Sequence, residues 1–217
     1  MAEIGTPEFT SFLQLFAERL KERRAELTAL DARIGDADHG INMDRGFSAV
    51  VGKLDSSGEE TTPGALAKLV GMTLISTVGG AAGPLYGTFF LRLAGGLGEK
   101  ASVTPEELGE ALRAAVDGVA QRGKAEPDDK TMVDAMRPAV DAYEARIGEG
   151  LGAALAAAAT GAAAGRDRIT PLVARKGRAS YLGERSAGHQ DPGATSTTIL
   201  FEALRDAIAA GDAAQGA

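Results

Sequence analysis

Leu30 to Phe47 reads LDARIGDADHGINMDRGF and interrupts a helical pattern. Before it, Phe12, Leu13, Phe16, Leu20 and Leu27 recur at helical spacing; after it, Met43, Phe47, Val50, Val51 and Leu54 resume that spacing. Between the two runs lie Asp31, Asp36 and Asp38, with Gly35 and Gly40 beside them and His39 and Asn42 just after. Carboxylates gathered this densely repel one another, and a fold that collects them commonly holds a cation between them. An all-oxygen donor set suits a hard ion, Mg2+ or Ca2+. The alternative is that Asp36 or Asp38 caps the following helix, begun near Ile41, and that the other carboxylates are solvated. Both readings stand at this point, although a cap accounts for one aspartate and not three. Spacing excludes an EF-hand: counted from Asp36, the turn glycine falls on Ile41 and the bidentate glutamate on Phe47. An open carboxylate site edged with glycines fits Mg2+ that shares its shell with a phosphate compound, a nucleotide among them.

The helical period runs through the whole chain. Thr6 and Pro7 open a first helix that continues up to the aspartates, and a second follows them. Asp55 to Thr62 is polar and turn-rich, and Pro63 starts a third helix through Leu66, Leu69, Val70 and Ile75. A fourth carries Leu85, Phe89, Phe90 and Leu93 and is expected to stop at Gly95, Gly96 and Gly98. Thr104 and Glu107 form a capping box with Pro105 between them, so a fifth helix runs to about Arg122. The sixth, through Met132, Met136 and Val140, is expected to kink or break at Pro138. The seventh is the alanine run, bent at Pro171, and the eighth carries Ile199, Leu200, Leu204 and Ile208. No run alternates with period two, so strands find no support. The expected fold is all-α, an antiparallel bundle of eight helices. The 217 residues show no break in composition, and one domain over 1–217 is expected. Met1 to Phe9 reads in part as a cloning remnant without function.

Charge and composition narrow the partners. A net charge of −7 disfavours nucleic acid and anionic membrane surfaces, both of which call for a basic face. The absence of cysteine rules out a disulfide scaffold and is compatible with the cytoplasm. The N-terminus lacks the apolar core of a signal peptide, and the longest apolar stretch, Leu151 to Ala164, is too short to span a bilayer.

In an antiparallel bundle successive loops alternate between the two ends, so the first, third, fifth and seventh share one end. These are the aspartate stretch, Gly79 to Pro84, Gly123 to Asp129 and Lys176 to Gly193, and they hold most of the unusual chemistry. VGGAAGP, Val78 to Pro84, offers bare backbone N–H groups at a helix start, suited to phosphate, or is a plain helix-breaking turn. GVAQRGKA, Gly118 to Ala125, is not a P-loop, because Ala125 stands where the metal-binding hydroxyl belongs and a helix precedes the glycines. Ala174 to Ser196 gathers Arg175, Lys176, Arg178 and Arg185 in a loop long enough to act as a lid, where an arginine could clamp phosphate oxygens. Neither His39 nor His189 lies in a nucleophile motif, so triad hydrolysis has no support.

DARIGDADHGINMDRGF, VGGAAGPLYGTFF, RGKAEPDDKTM and ARKGRASYLGERSAGHQDPGATS, in this order, resemble the signature segments of the L subunits of dihydroxyacetone kinase, the nucleotide-binding component. The resemblance reaches from Asp31 to about Ser196. It implies an eight-helix antiparallel barrel that holds ADP at one end through two Mg2+ ions. By position it makes Asp31, Asp36 and Asp38 the metal ligands and sets His39 and Asn42 against the nucleotide. Gly79, Gly80 and Ala81 would approach the phosphates, Gly123 and Met132 would border the base, and Arg178, Asp191 and Gly193 would complete the lid. Ala82 stands where relatives often carry serine, which removes one hydroxyl contact.

In such systems a K subunit holds dihydroxyacetone and an M subunit carries a phosphohistidine that recharges the bound ADP. An ATP-dependent form fuses the L and K domains, and no K domain is recognised here, which favours the three-component form. Arg178 is then the expected catalytic residue, acting on charge rather than on protons. Two alternatives remain open: an ATP-exchanging L subunit of a related sugar kinase, for a substrate such as erythrulose, and a nucleotide-sensing regulatory module that transfers nothing. The oligomeric state, a homodimer among the options, is not readable from the sequence.

Overall fold

The computed structural model describes residues 3–54 and 61–215, the side chains of 212–215 excepted. The turn expected from Asp55 falls largely outside these residues. Among those described there are nine α-helices: α1 (Thr6–Glu22), α2 (Arg24–Ile34), α3 (His39–Leu54), α4 (Pro63–Thr77), α5 (Ala82–Leu97), α6 (Pro105–Gly123), α7 (Val133–Arg146), α8 (Leu151–Ile169) and α9 (Pro192–Gln215). Short 3-10 segments lie at Ile147–Glu149 and Arg178–Ser186. The expectation of an all-helical chain holds apart from one two-residue bridge, Ile4–Gly5 with Ser102–Val103, antiparallel.

Local chemistry explains the starts. Thr104 accepts from the Glu107 N–H while Glu107 reaches back to the Thr104 N–H, and Pro105 occupies the first position of α6. Thr62 caps α4 through the Ala65 N–H. Several ends differ from expectation. The first helix is two, parted at Arg23, whose N–H still bonds Arg19 O while its carbonyl receives the Leu27 N–H. The fourth runs through Gly95 and Gly96 to Leu97, ended by Gly98 at φ +65°. Pro138 does not break α7, and α8 stops at Ile169, before Pro171 rather than bending there. Met1 to Phe9 is not detachable where it is described, since Ile4 and Phe9 are buried in the core.

Consecutive helices from α3 to α9 pack against one another, and α9 packs against α1, which in turn packs against α3. One apolar core runs along the interior from Ile4 to Ile208. Its N-terminal part is a file of rings, Phe9, Phe12, Phe16, Phe47 and Phe90, each within 6.3 Å of the next. The alanine run of α8 serves close approach to α7. Pro138 cannot donate to Asp134 O, and α8 comes so near at this place that a Cβ on Gly165 would lie 2.2 Å from that oxygen. Gly165→Ala should therefore lower stability by about 2 kcal/mol through overpacking. Gly152→Ala, on the same helix with nothing within 4 Å, should be neutral or stabilising. Thermal melts of the two variants that moved together would refute this account of the packing.

Candidate functional site

The connections α2–α3, α4–α5, α6–α7 and α8–α9 meet around one cavity of about 410 Å³. The size is that of a small-molecule site. Of the residues expected at the site, Asp31, Asp36, Asp38, His39, Gly79, Gly80, Ala81, Gly123, Met132, Arg178, Asp191 and Gly193 line it. Asn42 does not: it is buried one turn into α3, where its Oδ1 accepts from Arg45 at 2.7 Å.

The carboxylates are assembled by the end of α2. Asp31, 7% exposed, accepts through Oδ2 from the N–H groups of Asp38 (2.8 Å) and His39 (3.1 Å). The capping part expected of Asp36 or Asp38 thus falls to Asp31, reaching forward from the preceding helix. The turn this requires is tight, and a Cβ at Gly35 would lie 2.0 Å from Asp31 Oδ1. Asp31, Asp36 and Asp38 each present an oxygen within 4.8 Å of the others. Such an all-oxygen cluster, open on the cavity side, fits a hard dication. Across from it, Gly80 at φ +65° passes with its Cα hydrogen side toward Asp38, a built Cβ falling 3.8 Å from Oδ2. Helix α5 then starts at Ala82 without any side-chain cap, leaving its first N–H groups to a ligand or to solvent.

The remaining walls come from α6, α7 and α9. Gly123 ends α6 beside Leu85, and Met132, at the start of α7, abuts Gly193 at the start of α9. Segment 170–191 supplies Lys176, Gly177, Arg178, Ala179 and Asp191 to the cavity wall. Ala174 and Ala179 pack on Ile34 of α2, and Arg178 Nη2 lies 3.0 Å from Asp36 Oδ2.

Three features had no sequence signal of their own. Tyr86 O–H and His39 Nε2 both meet Ser196 Oγ, at 2.7 and 2.9 Å, and Ser196 Oγ donates to Gly193 O. Burial holds the His39 pKa down to about 4 against the pull of Asp31, so the imidazole is neutral at pH 7, and burial pushes the Tyr86 phenol up to about 12. Lys130, 1% exposed, gives its ammonium to three main-chain carbonyls. Asp134 accepts from the N–H groups of Asp128 and Thr131, shaping the loop ahead of α7. Lys130 lies within the RGKAEPDDKTM segment quoted above, but nothing local in the sequence marks it or Asp134 as buried; the tertiary structure does.

Residues 33–206 match the DAK2 domain. The chain belongs to the DAK2 domain family. This DAK2 chain is 51% identical over 180 residues to "PEP-dependent dihydroxyacetone kinase, ADP-binding subunit DhaL" of Escherichia coli, covering 82% of this chain and 85% of that protein. It is 42% identical over 198 residues to the ADP-binding subunit DhaL of PEP-dependent dihydroxyacetone kinase 1 of Listeria innocua, covering 89% and 92%. The DAK2 chain also superimposes on the dihydroxyacetone kinase of C. freundii solved with AMP-PNP and Mg2+, with a TM-score of 0.71, 25% identity and 95% of this chain covered. It spans only 35% of that longer chain. Among the described residues no helix is long and apolar enough to cross a membrane.

Asp191 offers a test of the electrostatics. Burial pushes its carboxyl up to about 7 from an ordinary 3.8, against the Ala194 N–H and the Lys130 charge. The native state then holds a proton that the unfolded chain has released, so this group's penalty on stability grows as pH rises from about 4 to about 7 and is complete above that. Asp191→Asn, which cannot ionise and keeps an acceptor for Ala194, should gain in melting temperature over the unsubstituted protein between about pH 5 and about pH 8 in metal-free buffer. A gap independent of pH would show that Asp191 is ionised throughout.

Proposed function

We propose that this chain is the ADP-binding subunit of a dihydroxyacetone kinase, working in the cytoplasm as one domain. It would take a phosphoryl group from a phosphohistidine-carrying M subunit, by way of bound nucleotide, and deliver it to dihydroxyacetone on a K subunit. The observation that carries the reading is the pairing across one cavity of three convergent carboxylates with an uncapped, glycine-led helix start. One half suits a dication, the other a phosphate, and a nucleotide diphosphate with Mg2+ needs both. The family and its ADP-binding members support the choice of nucleotide. We also read the closed circuit of helix neighbours as an eight-stave barrel, α1 and α2 forming one broken stave.

Asp31, Asp36 and Asp38 would hold two Mg2+ ions, which supply the positive charge that phosphoryl transfer requires. Each remaining part belongs to the chain itself. Gly79, Gly80 and Ala81 present main-chain N–H groups to phosphate oxygens without side chains in the way. Neutral His39, fixed by Ser196, faces the nucleotide as a polar but uncharged wall. Gly123 and Met132 border the base, with Asp191 and Gly193 closing the floor beneath the lid. Arg178 spans the mouth, where its guanidinium can follow charge that shifts between oxygens during transfer. No general base is asked of this chain, because the substrate hydroxyl arrives on a partner.

Purified in Mg2+, the protein should carry close to one ADP per chain, recovered on denaturation, and EDTA should release it and lower the melting temperature by several degrees. The direction follows from linkage, since removing a ligand of the native state can only destabilise it; at a thousandfold excess over its dissociation constant such a ligand adds about 4 kcal/mol. Asp36→Asn should weaken Mg2+-dependent ADP binding by about tenfold or more in calorimetry. A protein without nucleotide whose melt is insensitive to ADP and Mg2+ would overturn the reading. Fast exchange of bound ADP for labelled ATP would point instead to an ATP-dependent sugar kinase.

A further inference from the structure

A lysine with almost no exposed surface is rare unless its charge is answered, and Lys130 is 1% exposed. Its Nζ donates to Thr170 O and Leu172 O, each at 2.8 Å, and to Ser186 O at 2.7 Å. An ammonium has three N–H donors, and all three are used on main-chain carbonyls. Among the described residues none of these bonds goes to a carboxylate. The three carbonyls belong to the two ends of the lid: Thr170 and Leu172 where it leaves α8, Ser186 where the 3-10 segment finishes. Other bonds tighten the same knot. The Gly188 N–H also reaches Thr170 O, Ser186 Oγ receives the Ala174 N–H, and the Arg175 N–H bonds Asp129 O.

The loop that delivers Lys130 is held in an unusual form. Asp128 and Lys130 both take left-handed φ, +66° and +64°, a conformation that non-glycine residues adopt at some cost and keep only when surrounding bonds over-determine it. Here those bonds come from Asp134, whose carboxylate receives the Asp128 and Thr131 N–H groups.

We propose that Lys130 is a positioning residue for the proposed nucleotide site, a staple that joins both ends of the lid and thereby holds Arg178 across the cavity mouth. The inference rests on the nucleotide reading for its consequence in catalysis, and on geometry alone for its consequence in the lid. Arginine cannot replace it, because a planar fork does not direct three N–H groups at three carbonyls converging on one point. Methionine fills similar space but leaves all three carbonyls buried and unanswered.

Two experiments separate these consequences. The lid carries Arg175, Lys176, Arg178 and Arg185, so trypsin reports its opening directly. In Lys130→Met and Lys130→Gln, cleavage within 175–185 should accelerate by about tenfold or more while the helical circular dichroism signal and cutting elsewhere stay unchanged. Lid cleavage at the original rate overturns the staple, and so does cleavage spread over the whole chain in both variants, which would make Lys130 a general core residue. For the second consequence, transfer to dihydroxyacetone by the reconstituted enzyme is measured for Lys130→Met, Arg178→Ala and the pair. If Lys130 acts through Arg178, its substitution should cost about tenfold alone but less than about twofold when Arg178 is already alanine. Fully additive losses overturn that route. Should the unsubstituted protein transfer no phosphoryl group at all, the proposed function fails, and the trypsin result alone decides the staple.

Discussion

Three carboxylates held within 4.8 Å of one another are an arrangement that repels itself, and the surrounding structure is best understood as what keeps it assembled. Asp31 is fixed from below by two main-chain N–H groups that open α3, so its position is as rigid as the α2–α3 junction. Gly35 leaves the room that this turn needs, and Arg178 supplies positive charge 3.0 Å from Asp36. The same bonds that answer the Asp31 charge also start a helix. The site and the fold therefore share their hydrogen bonds at this point, and neither could change without the other.

The closed circuit of helices turns that local geometry into a pocket. Because each helix packs on the next and α9 returns to α1, alternate connections fall at a common end, and four loops far apart in sequence face one cavity. The opposite end carries the small Ile4–Gly5 and Ser102–Val103 bridge and no comparable chemistry among the described residues. Helix termini support three sides, whereas the fourth, segment 170–191, is tied at its two ends by the Lys130 bonds and rests through Ala174 and Ala179 on Ile34 and through Leu172 on Ala135 and Ala194.

The aspartate cluster, the glycine turn and the basic lid were legible because each concentrates unusual residues over a short stretch: three acids around two glycines, two adjacent glycines at a helix start, four cations in an acidic chain. Asn42 stands one turn into α3, where it accepts from Arg45 and its side-chain amide lies beside Gly79, a neighbour across the α2–α3 and α4–α5 connections that helical spacing alone does not reveal. Helix ends were misplaced wherever a breaker had a compensating partner. Pro138 stays inside α7 because the carbonyl it leaves unbonded is approached by the bare backbone of Gly165, and Gly96 stays inside α5 because Ala111 packs where its side chain would be. Lys130 and Ser196 went unnoticed because their importance lies in partners 40 to 157 residues away along the chain.

By itself, then, the sequence determined the all-helical class, the order of the helices and which loops carry carboxylates, glycines and cations, since helical period, caps and breakers are local properties of a few neighbouring residues. Only the tertiary structure decided that Asp31 is the cap, that His39 is neutral, that Asp191 is driven up to about 7 and that Lys130 is buried. These depend on desolvation and on bonds between distant segments, and both come into being only when the helices close around the cavity.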